Sequence, residues 1–192
     1  MTHMLLSDLI PLTIFVLYTT ITYHHHPLPP LPLWGPIISR LFSLIYHTLE
    51  TTTPALLSLD YLGICSMALS VPAACALAEE GLEGMCGPYV AATMLMLGAA
   101  VAEIAMHALT RKPAVFRSPE HAVVGLGLLG NLPVLVIIAN PTHPSSTRLL
   151  FSFSLVAFGV GYFGLKPRHH VLWHWAAAAG QAAGVAAIVV TE

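Results

Sequence analysis

Residues 169–190 read HHVLWHWAAAAGQAAGVAAIVV, a stretch without one Asp, Glu, Lys or Arg. About 20 apolar residues in helical form cross the roughly 30 Å hydrocarbon layer of a bilayer, so this stretch is long enough to span one. A helix is the form it must take there, because backbone polar groups in hydrocarbon have to be paired within the segment. Small Ala and Gly side chains fill its middle, which suits close helix packing in lipid. Two histidines, His170 and His174, stand in its first turns.

Working outward, six more stretches of the same kind run approximately over residues 4–23, 31–49, 53–78, 88–109, 119–140 and 146–165. The breaks between the seven are HHHPLPPLP, LETTTP, AEEGLEGMCG, TRKPAVFRSPE, NPTHPSSTR and KPRHH, whose Pro, Gly and charged residues end helices and start the next. Asn131 with Pro133 reads as a kink inside the fifth stretch, and Asn140 with Pro141 as its end. No period-2 alternation suggests a barrel. The expected fold is an all-α membrane protein, a seven-transmembrane helix bundle forming one domain over residues 1–192.

Composition agrees. The 192 residues are 56% hydrophobic and 8% charged, far below the roughly 25% charged of a soluble domain. Mean hydropathy is +0.78. Too few ionic side chains are present to coat a sphere of this size, which excludes a water-soluble globule. A formal net charge of −2 with scattered basic residues excludes nucleic-acid binding as well. Cys65, Cys75 and Cys86 are odd in number and lack C-x-x-C spacing, so no disulfide framework or thiolate zinc site is implied.

The first span carries Asp8, Pro11 and several threonines, and a cleaved signal peptide is its rival reading. No Lys or Arg precedes it and no small-residue cleavage site follows, where Tyr23 and His24 to His26 stand, so a retained span is expected. Orientation follows from the Lys/Arg balance of the short loops. Arg111, Lys112, Arg117, Lys166 and Arg168 fall on the side of the N-terminus, whereas Arg148 and the acidic Glu79, Glu80 and Glu83 fall on the other. The N-terminus is expected in the cytoplasm and the C-terminus outside or in a lumen.

Ionisable side chains inside spans are costly unless paired, solvated or ligating, which makes each a functional candidate. They are Asp8, Arg40, His47, Asp60, Glu103, His107, His170 and His174. With alternating helix direction, His47, Asp60, His170 and His174 come to the same membrane face. The i, i+4 spacing of His170 and His174 places both imidazoles on one helix side, within reach of one metal ion. Ser43 precedes His47 by the same interval and so faces the same way. Three histidines with an open fourth position suit a catalytic zinc, and the nearby aspartate could take a proton from water or orient it. A lone histidine at a helix end is ordinarily a solvated interfacial residue; the pair, the third histidine and the aspartate at matching depth favour ligation. His24 to His26 read as a solvated loop and His169 as interfacial. Glu103 and His107 read as a second hydrogen-bonding pair, and Arg40 as snorkelling or paired with an acidic neighbour.

Ser43-Leu-Ile-Tyr-His47, Leu59-Asp60-Tyr61-Leu62-Gly63 and His170-Val-Leu-Trp-His174 together resemble the signature of the seven-transmembrane CREST hydrolase superfamily. That group contains the alkaline ceramidases, the progestin and adiponectin receptors and the hemolysin III proteins. The wording FSLIYH, LDYLG and HVLWHWAAAAG is most similar to its myomaker and GPI-processing phospholipase branch. The resemblance implies an integral-membrane, zinc-dependent hydrolase of lipid amides or esters. His47, His170 and His174 would hold Zn²⁺ and so activate water, with Asp60 as its proton acceptor and donor. Ser43 would hydrogen-bond that water or the developing oxyanion, and the partner would be a membrane lipid entering from the bilayer. The receptor branch carries a glutamate at its first span and residues 4–23 have none, so the receptor reading fits less well. A non-catalytic, myomaker-like protein of membrane remodelling with a structural zinc stays open as the alternative, whereas a transporter lacks the inverted repeat of broken helices.

Overall fold

A computed structural model describes residues 2–25, 31–49, 54–78, 83–112, 116, 118–166 and 169–191. His26, Glu79, Glu80, Arg117 and Arg168 lie outside the described residues, as do the side chains of His24, His25, Glu83 and Cys86.

The described residues form helices and no strand. In chain order they are α1 (Thr2–His25), α2 (Leu31–Leu49), α3 (Pro54–Ala78), α4 (Glu83–Thr110), α5 (Pro119–Gly130), α6 (Leu132–Ala139), α7 (Ser145–Gly159), a π-helical turn (Val160–Leu165) and α8 (His170–Thr191). Pro119 opens α5, where its fixed φ suits the first helical turn and its missing N–H costs nothing. Pro133 interrupts the run that follows, because it cannot donate back to the preceding turn. At the break, the Gly130 carbonyl accepts from Tyr89 Oη at 2.9 Å.

Among the described residues, six segments are long and apolar enough to cross a membrane: Met4–Ile21, Leu56–Cys75, Gly87–Thr110, Pro119–Ala139, Ser145–Leu165 and His170–Val190. The chain is a multi-pass membrane protein. The sequence reading expected seven such segments, and the difference is α2. It has the length of a span but carries Ser39, Arg40, Ser43 and His47, which dilute its hydropathy.

The position of α2 explains why it can be so polar. It packs against α1, α3 and α8, and Ser39, Arg40 and Ser43 are buried among them. Its approach to α3 depends on Gly35, where a Cβ would collide with the Ser70 side chain and come 2.6 Å from the Ser66 carbonyl oxygen. The α8 helix touches α1, α2, α3, α7 and the π turn. Helices α3, α4 and α5 pack through Cys65, Ala100, Ile104, Ala122, Val123 and Leu126.

Candidate metal centre

Three faces converge where α2 and α8 meet. On α2, Arg40, Ser43 and His47 are spaced i, i+3 and i+7, so all three lie along one stripe. On α8, His170, His174 and Gln181 repeat the same logic, and the two stripes face each other. The His174 ring centroid lies 4.7 Å from that of His170 and 5.2 Å from that of His47. The Nε2 atoms of His170 and His174 are 3.1 Å apart, and the three side chains offer ligand nitrogens all within 4.8 Å of one another.

The donor set fits a metal ion. Four-coordinate zinc takes nitrogens at about 2.0–2.1 Å, which sets them roughly 3.3 Å from each other. The 3.1 Å pair is already at that spacing. His47 Nε2 is buried and has no hydrogen-bond partner, a costly state for an imidazole nitrogen unless something occupies the space it faces.

Asp60, from α3, has a side-chain hydrogen bond with Ser43 and interacts electrostatically with His47, His174 and Asp8. Ser43 itself donates to Asp8 Oδ2 at 3.1 Å. The hydroxyl therefore stands between two carboxylates, those of Asp8 and Asp60.

Asp8, which the sequence marks only as an ionisable residue inside a span, belongs to the site. It is fully buried on α1, and its Oδ1 lies 2.7 Å from His174 Nδ1 and 3.3 Å from Arg40 Nη1. Arg40 is paired, as one of its two sequence readings had it. Its Nη2 donates to the His174 carbonyl at 3.0 Å and to Gln181 Oε1 at 3.3 Å. Gln181 carries no charge and sits mid-helix, so only its burial marks it. Asp8 did carry a signal, since it is an ionisable residue inside an apolar stretch.

The other candidates fall elsewhere. His169 is exposed. Glu103 is buried on α4 and accepts from the backbone N–H of Phe116 at 2.8 Å, a bond to the α4–α5 connection. Lys166 pairs with Glu120 at 3.0 Å and lies 4.5 Å from the Tyr162 ring centre.

A cavity of about 320 Å³ lies between α2, α3, α5, α6, α7, the π turn and α8. Its lining is largely apolar and includes Met67, Phe151, Phe158, Trp173 and Gln181. Gln181, which bonds Arg40, lines it, but none of the three histidines does. No family model, curated protein or solved structure matches the chain.

Proposed function

We propose that this membrane protein is a zinc-dependent hydrolase of lipid amide or ester bonds, related to the CREST superfamily and within it to the myomaker and GPI-processing phospholipase branch. The observation that carries the reading is the convergence of three imidazoles around the unpartnered Nε2 of His47, with a carboxylate, Asp60, beside them. Zinc held by His47, His170 and His174 would supply the Lewis acidity that makes water nucleophilic near neutral pH. Asp60 would take the proton that water gives up and return it to the leaving amine or alcohol. Ser43, bonded to Asp8, would hydrogen-bond that water or the developing oxyanion. The apolar cavity beside Trp173 is suited to a lipid chain, and the substrate would come from the bilayer.

In this reading α2 is a seventh crossing, kept in the bilayer by the partners of its polar face. The N-terminus is cytoplasmic and the C-terminus lies outside or in a lumen, by the loop charges. A single cysteine at Ser118 in a cysteine-free background should then label from the cytoplasmic side only. Labelling from the opposite side would overturn the orientation.

The decisive assay is hydrolysis of a panel of ceramides and phospholipids by wild type and Asp60→Asn. The variant keeps the size and hydrogen-bonding capacity of Asp60 and removes the base, so it should retain zinc while losing roughly 10²- to 10⁴-fold in rate. A variant as active as wild type would remove Asp60 from the chemistry. One observation favours a second reading, a structural zinc in a non-catalytic, myomaker-like protein: the cavity is not lined by the histidines. That reading prevails if wild type holds zinc and cleaves no lipid in the panel.

A further inference from the structure

The α1 helix brings one carboxylate into the centre, and its contacts are specific. Asp8 is fully buried, with both oxygens engaged: Oδ1 by His174 and Arg40, Oδ2 by Ser43. A carboxylate has no proton to give, so the 2.7 Å contact requires the hydrogen to sit on His174 Nδ1. A neutral imidazole carries only one such hydrogen. Its Nε2 is then a bare lone pair, and Nε2 is the atom that faces His170 at 3.1 Å.

Arg40 makes that choice rigid. Its guanidinium touches Asp8 through Nη1 and reaches the backbone carbonyl of His174 through Nη2, so one cation holds the carboxylate and the helix turn that carries the imidazole. Gln181 Oε1 accepts from the same nitrogen and fixes the guanidinium from below, seven residues along α8. The 3.5 Å approach of Arg40 Nη1 to His174 Nδ1 sets two donors side by side and is a consequence of both pointing at Asp8.

We propose that Asp8 is a positioning residue of the metal centre, selecting the His174 tautomer whose Nε2 lone pair faces the metal position, with Arg40 and Gln181 as its frame. The inference rests on the metal reading of the three histidines. Partners of this kind raise the basicity of a ligating imidazole, and their loss typically costs 10- to 100-fold in metal affinity.

The test uses the full chain in detergent and zinc as the probe. Because Asp8→Ala alone would strand the Arg40 charge, the informative variant is the doubly neutral Asp8→Ala/Arg40→Met, compared with Asp8→Asn/Arg40→Met, which keeps an acceptor for Nδ1–H. Zinc affinity by chelator competition should fall in the order wild type, Asn/Met, Ala/Met, the last by 10- to 100-fold. If wild type holds no zinc, the metal reading itself fails. If wild type holds zinc and Ala/Met binds it equally well, Asp8 only ties α1 to α2 and the inference is overturned. A second measurement needs no variant at Asp8. In ¹⁵N-histidine-labelled, metal-free wild type, the His174 signal, identified by its loss in His174→Ala, should show hydrogen on Nδ1. Hydrogen on Nε2 would overturn the inference whatever the variants do.

Discussion

The contact of α1, α2 and α8 and the contact of α3, α4 and α5 solve the same packing problem with opposite materials. In the first, Asp8, Arg40, Ser43, His174 and Gln181 are buried and bonded to one another across three helices. In the second, the cluster of Cys65, Ala100, Ile104, Ala122, Val123 and Leu126 meets by shape, and the polar bonds of Tyr89 to Gly130 and of Glu103 to Phe116 are separate pairs, not one connected network. Lipid tails are as apolar as those side chains, so such packing gains dispersion contacts but little hydrophobic driving force. The polar contact is directional and fails all at once when one member is removed, because the remaining charge is left buried and unpaired. The directional contacts lie where the three imidazoles converge.

Removing the proposed metal ligands should have the largest effect. His170→Ala/His174→Ala should lower zinc from about one ion per chain to near none by elemental analysis, with a marked loss of thermal stability, because metal affinity is partly folding energy. Stoichiometric zinc in that variant would exclude the site. Next comes a direct contest between the two contacts. Arg40→Met leaves Asp8 buried without its counter-charge and should cost about 3–5 kcal/mol. Leu126→Ala opens a cavity in a fully buried apolar position and should cost about 2 kcal/mol, the low end for such truncations, since the alternative to packing is lipid rather than water. Reversible unfolding in mixed micelles would rank them. Equal costs would mean that the polar contact is no more cooperative than the apolar one.

The helices were legible because Pro and Gly punctuate the chain at nearly every helix end, and long apolar runs admit few other structures. The polarity of α2 was equally visible, but whether a helix with Arg40 and His47 crosses a membrane depends on what covers those side chains. That is a property of α1, α3 and α8 together. For the site, the i, i+4 spacing of His170 and His174 is local and could be read directly. The bond between Asp8 and His174 joins residues 166 apart in sequence, and no spacing rule connects the first helix to the last. Asp8 could be recognised as costly where it stands, yet its partner could not be named. Gln181 gave less still, since an uncharged amide in an alanine-rich helix does not stand out.

The π turn ends with the Lys166 N–H bonded to the Gly161 carbonyl at 2.8 Å, one residue further back than an α-helix would place it. At that turn the backbone of Gly161 lies against α8, so close that a methyl group there would come 2.8 Å from the Trp173 ring and 3.0 Å from Ala176 Cβ. Trp173 immediately precedes His174. The seat of the turn that carries His174 therefore depends partly on a residue with no side chain and no charge, twelve positions before that indole. Mutational tolerance along α7 and the π turn should follow clearance from α8 rather than polarity, so the least reactive residue in the neighbourhood is among those the chemistry can least spare.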